Sequence, residues 1–514
     1  MIPVTKPYLP NREKLNQYID GIYERGWLTN NGPLLQELTA RLEKHLGVEN
    51  LLLVSNGTLA LQIAYRVLGI TPDNRINDVP EAITTPFTFV ATASSLKWEG
   101  ITPVFADIDP DTWCLKPENI KPAITSQTKA IVPVHVFGNA CDVDAIDEIA
   151  KEYDLKVIYD AAHAFGVEYK GKSLLSYGDA ATLSFHATKL FHTVEGGAIV
   201  FKHREDLEKA KKLISFGMSG PETIDEVGIN AKMNEIQAAM GLCVLDEISE
   251  VHDSRRTIWN SYKEALTGQV VFQSWEESAR NNFSYFPILL KSEEQVLKVQ
   301  SALAKKNIHA RRYFYPSLNN VKAFDAQEEM PISESVASKI LCLPLYPTLN
   351  NEQVRSVVLS ELKRPNVINL IDFNDALIIK FIRMMDSFFK PAIEEQTDLH
   401  QYLKKIKSHG CIIGTLNSSG EITSIATFYA NDSTSGDAFI SYLAVNPENQ
   451  GNGIAKILIH EVKNCSRLRG MRALNVTTWQ ENEQAIALYK SNGFELIKTV
   501  ESDIRVTVYL RSNL

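Results

Sequence analysis

From residue 51 to about residue 200, short apolar runs alternate with polar stretches of helical spacing, and this rhythm restricts the fold more than any other feature of the chain. LLLV (51–54), AIVPVHV (130–136), KVIYD (156–160) and ATLSF (181–185) are largely apolar and read as strands covered on both faces. Between two of them, segment 139–154 carries Val143, Ile146, Ile149 and Ala150 at the spacing of one helix face. Alternation of this kind predicts an α/β fold, with a largely parallel sheet and helices on both of its faces. After Lys202 the pattern turns helical, and Met233, Ile236, Met240 and Val244 predict one face of a long helix opened by GINAKMNE.

A chain of 514 residues exceeds one ordinary core and predicts two or three domains. A large domain is expected over about 1–250. A small α+β lobe follows over about 251–362, with YFPILL (285–290) as one of its strands. The run KRPN (363–366) marks a break, because proline pushes its predecessor out of helix. Residues 367–514 then show a rhythm of their own: strands CIIGTL, ITSIATFYA and AFISYLAV, a helix, a strand LNVTTW, a second helix and a final strand VTVYL. That length is a whole domain.

The net charge of −9 is spread along the chain, which argues against nucleic acid as a partner. Six cysteines lie far apart without a CxxC pair, so neither a metal cluster nor a disulfide framework is expected. The N-terminal residues lack the apolar core of a signal peptide, and no apolar run is long enough to span a bilayer. A cytoplasmic protein without a membrane partner is the resulting expectation.

The chemistry-bearing residues sit where strands end. Lys189 follows the strand at 181–185, and Asp160 closes the strand at 156–160. A lysine able to form a Schiff base and a carboxylate able to keep a pyridine nitrogen protonated are the two groups that make pyridoxal phosphate an electron sink. SNGTLALQIAY (55–65) runs from a strand through Gly57 and Thr58 into a helix, which offers free N–H groups and a hydroxyl to a phosphate. Phe89 follows a further strand and is positioned to cover a ring. His163 lies three residues after Asp160 and is placed to donate to the oxygen beside the Schiff base, and Ser184 adds a phosphate hydroxyl. Singly, each has an ordinary alternative: a solvated lysine, a helix-capping aspartate, a core histidine or phenylalanine. Their joint presence in order, each at a strand end, points to a transaminase.

At these residues the chain resembles a family. SNGTLAL, TPFTFVATA, DAAHAFG, SFHATK and GINAKMNEIQAAMGL together resemble the DegT/DnrJ/EryC1/StrS sugar-nucleotide aminotransferases over nearly all of residues 1–360. The resemblance implies the type I fold of pyridoxal phosphate enzymes, aspartate aminotransferase-like, and a homodimer with shared active sites. It implies Lys189 as the Schiff-base lysine, Asp160 as partner of the pyridine nitrogen, and Gly57, Thr58 and Ser184 as phosphate contacts. Asn230 would reach the phosphate of the neighbouring subunit's cofactor. Glutamate as amino donor and a keto group on a nucleotide-linked deoxysugar as acceptor are implied as well. Many members carry glutamine where this chain has His163, which narrows the subgroup. DAAHAFG, SFHATKLFH and WLTNNGP resemble most the enzymes that aminate C4 of a dTDP-4-keto-6-deoxyhexose, with C3 amination as the alternative. Members with histidine in place of the lysine are dehydratases, so the presence of Lys189 favours transamination.

In the tail, a strand runs into Gln450-Gly451-Asn452-Gly453-Ile454-Ala455 and then a helix with Ile454, Ile457, Leu458 and Val462 on one face. Such a turn aims N–H groups at a pyrophosphate. A second strand–helix pair, NVTTWQENEQAIALYKSNGFE, places Asn482 and Tyr489 seven residues apart on one face. This pairing resembles the GNAT N-acetyltransferases over roughly 367–514. The resemblance implies acetyl-CoA with its pyrophosphate on 450–455, Asn482 among the acetyl-CoA contacts, pantetheine against the backbone of Leu443 to Val445, and Tyr489 as general acid to the departing thiolate. A transaminase makes a primary amine and an acetyltransferase consumes one. The two halves are therefore expected to aminate and then N-acetylate a sugar for a surface polysaccharide such as O-antigen. A tail that only binds CoA to regulate the first half, or acetylates another amine, is the rival expectation.

Overall fold

The computed structural model describes residues 1–72, 79–324, 328–362, 367–389, 393–417, 419–451, 453–502 and 505–514. The expected break at 363–366 and Asn452 lie outside the described residues. The chain divides into two compact units, Met1–Glu361 and Leu362–Leu514.

The first unit is built on a seven-stranded sheet: β1 (Leu51–Val54), β2 (Glu81–Thr84), β3 (Thr102–Phe105), β4 (Thr128–Val132), β5 (Lys156–Asp160), β6 (Ala180–Ser184) and β7 (Gly197–Phe201). Their spatial order is β1-β7-β6-β5-β4-β2-β3. The pairings from β3 through to β6 are parallel, while β7 runs antiparallel to both β6 and β1. Alternation of side chains along each strand explains why these runs are apolar on both faces through their middles. Leu51 and Leu53, Ile83, Ile131, Val157 and Tyr159 enter one core, and Leu52, Val54, Ala82, Ala130, Val132 and Ile158 enter the core on the opposite face. The helix Val143–Tyr153 buries Val143, Ile146, Ile149 and Ala150 as its spacing predicts.

The helix expected after GINAK differs from its prediction. It spans Glu235–Asp246, so Met233 precedes it, and Ile236 is 42% exposed. Val244 is buried as expected, together with Leu242 and Leu245, but the face also carries Ala238 and Gly241. A Cβ on Gly241 would come within 2.8 Å of Leu38 and Thr193, so close approach, rather than large side chains, sets this contact. The first residue of that helix, Glu235, is fully buried and accepts from the amides of Leu34 (3.0 Å) and Leu35 (2.9 Å). Those amides open the helix Pro33–Leu46, whose N-cap Gly32 supplies no side-chain bond. A carboxylate at a helix N-terminus satisfies orphan donors and complements the dipole.

The small lobe pairs β8 (Phe286–Leu289) with β9 (Ile340–Leu343) antiparallel, flanked by the helices Ile248–Leu266 and Glu293–Lys305.

The second unit is a single twisted sheet: β10 (Val367–Asn369), β11 (Cys411–Leu416), β12 (Ile422–Asp432), β13 (Asp437–Val445), β14 (Ala473–Trp479), β15 (Glu495–Glu501) and β16 (Val506–Asn513). The order is β10-β11-β12-β13-β14-β16-β15. Helices Asp375–Asp386 and Leu399–His409 join one core with Ile412 and Ile425, and the helix Ile454–Leu468 joins the other with Ile413 and Phe428. The parallel β13–β14 pairing runs only from Asp437↔Ala473 to Ile440↔Val476, although both strands continue. No helix among the described residues is long and apolar enough to cross a membrane.

Glu235→Ala should lower stability of the first unit by about 3 kcal/mol, since two buried amides lose a charged acceptor. Thermal unfolding, with Glu235→Gln as the milder comparison, measures this.

Candidate active site

Parallel pairing of β5 and β6, with Asp160 level with Thr182, brings the ends of both strands to one edge of the sheet. A cavity of about 340 Å³ opens there. Gly57, Thr58, Phe89, Asp160, His163, Ser184 and Lys189 all line it.

Asp160 is buried and accepts from the Thr92 hydroxyl (2.7 Å) and the Ala162 amide (3.1 Å). Burial pushes its pKa up, and Thr92, the Ala162 amide and Lys189 oppose that shift. The Lys189 amine has a pKa pushed down to about 8 by burial, with Asp160 acting against this and Arg311 reinforcing it. His163 accepts the Phe137 amide on Nδ1 (3.1 Å), which assigns the proton of the neutral ring to Nε2. Burial first, and Lys189 second, hold that ring well below the usual histidine pKa.

The helix Gly57–Val67 is capped by Asn56, whose side chain accepts from the Leu59 amide. The amides of Gly57 and Thr58 have no acceptor within the helix and lie at its positive end. Ser184 packs against this turn so closely that a Cβ on Gly57 would sit 2.9 Å from the Ser184 Cβ. Behind it, a Cβ on Gly197 in β7 would come within 2.6 Å of the Asn56 carbonyl and 2.8 Å of the Gly57 nitrogen. Two glycines thus let strand, turn and serine meet around the free amides. Phe89 stands half-exposed at the cavity, just ahead of the helix Ala91–Trp98.

Asn230 is apart from this cluster. It is exposed and bridges by its backbone to Ser215. Other cavity residues escaped the sequence reading. Tyr285, Arg311 and Tyr313 come from the small lobe, more than ninety residues from Lys189, and no local pattern announces them. Thr92 carried a signal, since TPFTFVATA includes it, but its bond to Asp160 depends on the β2–β4–β5 order.

In the second unit, Gly451 (φ +79°) and Gly453 (φ +74°) take the left-handed conformation, and the helix starts at Ile454. The amides of Ile454 and Ala455 therefore lie in the first turn, free for an anion, while the Ile454 side chain is buried. The Gln450 side-chain Nε2 donates back to the Val445 carbonyl (3.0 Å) and ties the turn to the end of β13. Leu443 pairs with Ala426 and Val445 with Ser424 on the β12 side, beyond the point where β14 has diverged. Asn482 lies at the N-cap of the helix Glu483–Ser491, where its side chain accepts from the Ala485 amide (3.1 Å). Tyr489 is buried edge-on to Phe494, its pKa pushed up by burial, and its hydroxyl meets no hydrogen-bond partner among the described residues.

A sheet with helices on both faces, carrying a lysine and a buried carboxylate at its strand ends, defines a cofactor-dependent transferase of the α/β class. The description "DegT/DnrJ/EryC1/StrS aminotransferase family" matches residues 10–360, and this chain belongs to that family. Residues 380–494 match the acetyltransferase (GNAT) family, so a GNAT domain lies at the C-terminal side. A dTDP-4-amino-4,6-dideoxy-D-glucose transaminase of Shigella dysenteriae is 43% identical over 364 residues, which are 69% of this chain and 96% of the relative. Among solved structures, DesI in the presence of its TDP-sugar product is 34% identical with a TM-score of 0.65, covering 70% of this chain and 91% of its own. Spr1654 from Streptococcus pneumoniae, in its PLP form, is 26% identical with a TM-score of 0.64, covering 70% of this chain and 97% of its own.

Pyridoxal phosphate is the cofactor of this family, and the cavity residues fit it. Free amides at a helix start and a serine hydroxyl suit its phosphate, a buried carboxylate its pyridine nitrogen, and an amine of lowered pKa its aldehyde. The glycine turn at a helix start, beside a strand edge left open, fits acetyl-CoA in the same sense.

Gly197→Ala should weaken pyridoxal phosphate binding at least about tenfold by pushing the Asn56–Gly57 peptide away, although the residue touches no ligand. Fluorescence titration of the apoprotein measures it.

Proposed function

We propose that residues 1–362 transfer an amino group from glutamate to C4 of a dTDP-4-keto-6-deoxyhexose, and that residues 367–514 N-acetylate the resulting amine with acetyl-CoA. The observation that carries this reading is the gathering of Lys189, Asp160, His163, Ser184 and the Gly57–Thr58 turn in one cavity, in a chain 43% identical to a transaminase of that sugar class. When bound, pyridoxal phosphate supplies an electron sink conjugated to the carbon that loses or gains a proton. Gly57, Thr58 and Ser184 anchor the phosphate, and the Asp160 carboxylate keeps the ring nitrogen protonated. His163 would donate from Nε2 to the ring oxygen, and Phe89, at the cavity wall, would cover the ring. Lys189, with a pKa near physiological pH, takes the proton from the amino-bearing carbon of the donor and returns one to C4 of the sugar.

In the tail, the 450–455 turn holds the pyrophosphate, and the backbone of Leu443 and Val445 lines the pantetheine. The sugar nitrogen attacks the thioester carbonyl, the C–S bond breaks, Tyr489 gives its proton to the departing thiolate, and the proton lost from the nitrogen passes to water, from which the phenol regains its own. Its neutral phenol, kept so by burial, suits that role. A homodimer is part of the proposal: Asn230 and the apolar Phe216, Ile224 and Val227 are all exposed on the first unit, where a second copy would cover them.

Incubation with pyridoxal phosphate, glutamate, acetyl-CoA and a panel of dTDP- and UDP-linked keto-deoxysugars, read by mass and NMR, tests the scheme. A 4-acetamido-4,6-dideoxyhexose is the expected product, and an amine at C3 or an unacetylated end product would refute it. Lys189→Ala should abolish amine formation yet still acetylate a supplied 4-amino sugar. Tyr489→Phe should leave transamination intact and slow acetyl transfer about 100-fold.

A further inference from the structure

The lysine of this cavity touches a side chain that belongs to neither of its strand ends. Lys189 Nζ donates to the Tyr285 hydroxyl at 3.3 Å, and the tyrosine ring lies against His163 with centroids 4.6 Å apart. Tyr285 arrives from the far end of the unit's sequence, immediately before β8, and the residues ahead of it are strapped down.

The Asn282 side chain, 2% exposed, donates to the carbonyls of His163 (2.8 Å) and Phe165 (3.0 Å), the loop that follows Asp160. Its oxygen accepts the Ser284 amide (3.2 Å). Gly138, at φ +93°, makes room for it, since a Cβ there would lie 2.8 Å from both the Asn282 oxygen and the His163 carbonyl. From the other side Arg255, also 2% exposed, gives its Nη1 to the Ser284 carbonyl (3.0 Å), with the Phe283 carbonyl at 3.5 Å. Arg255 has no carboxylate partner among the described residues, and its buried Nε is unpaired. A buried guanidinium without a counter-charge is costly, and here its bonded duty is to hold backbone carbonyls. The strap thus fixes the residue that hydrogen-bonds to the lysine.

We propose that Tyr285 is a catalytic residue of the transamination: its hydroxyl accepts the Lys189 ammonium whenever that amine is free of the cofactor, and Arg255 and Asn282 are the residues that position it. This rests on the reading of Lys189 as the cofactor-bonding lysine. Transamination leaves the lysine unattached while nitrogen resides on cofactor or substrate, and an unattached four-carbon chain has many rotamers. An acceptor in the cavity wall holds the amine where it must exchange protons. The phenol suits this because burial keeps it neutral, so it accepts from the ammonium without forming an ion pair. Other titratable groups also face this amine. Asp160 and His163 do so from the β5 end and Arg311 and Tyr313 from the small lobe, while His186 and Glu195 flank it on its own loop. Tyr285 is the one whose hydrogen bond to Nζ is made.

Capture of pyridoxal phosphate by the full-length apoprotein, followed by stopped-flow absorbance against pH, tests this. Capture needs the neutral amine, so its rate rises with pH through the lysine pKa, near 8 in the wild type. Loss of the acceptor destabilises the ammonium, and Tyr285→Phe should move the inflection down by about one unit. Comparison with wild type at each pH cancels the ionisations of the free cofactor. Arg255→Lys, which leaves the phenol in place, should produce part of the same shift, and adding it to Tyr285→Phe should add little. An unchanged inflection in Tyr285→Phe overturns the proposal, as does full additivity in the double variant. Borohydride reduction and peptide mapping separate the two levels: cofactor fixed to a residue other than Lys189 refutes the underlying reading, whatever Tyr285 does.

Discussion

The first unit depends on keeping a carboxylate inside the protein at the end of a strand. Desolvation of Asp160 opposes its charge, and the surroundings answer with a threonine hydroxyl, a backbone amide and the field of Lys189. Each of those partners sits on a different element, so the carboxylate stays ionisable only when β2, β5 and the loop after β6 are all in register. The cavity is therefore not a hollow left between elements. It is the place where several strand ends must agree before one charge can be tolerated.

The same unit sets a lysine against that carboxylate and then loosens its proton. Burial and the nearby Arg311 outweigh Asp160, which leaves an amine that can both take and give a proton near neutrality. The second unit reaches its candidate site by a different device, since two parallel strands that part after Ile440 and Val476 leave backbone unpaired, and a pair of left-handed glycines starts the neighbouring helix. One site is made of converging side chains and the other mainly of backbone.

That contrast governs how much could be read from the sequence. Strands such as LLLV and KVIYD were legible because burial on both faces demands a largely apolar run, and Gly57, Asp160, Ser184 and Lys189 because each lies in the last residues of such a run or within a few residues after it. The helix Glu235–Asp246 lies where GINAKMNE ends and buries Val244 as expected, but Ile236 faces outward because part of the packed face is carried by Ala238 and Gly241, which leave no hydrophobic signature. Tyr285, Arg311 and Arg255 were invisible for another reason: their meaning comes from the packing of a lobe far along the chain, and a tyrosine before an apolar run looks like any edge of a strand. In the tail, Asn482 was placed on the face of a helix that it in fact caps. A helix boundary shifted by one residue is enough to exchange those two roles.

The tie between Glu235 and the amides of Leu34 and Leu35 spans 201 and 200 residues, and β1 pairs with Gly197–Phe201 and, at Val54, with Lys232. During synthesis, then, residues 33–54 emerge with an apolar strand and an unfinished helix end, and nothing already made can complete either. At about 5–20 residues per second, some 10–40 s pass before the completing segments leave the ribosome. Until residues 197–201 are made, LLLV is an unpaired strand, and its protection falls to whatever binds nascent chains. The antiparallel strand that closes the sheet is thus also the event that ends the most vulnerable period in the life of this protein.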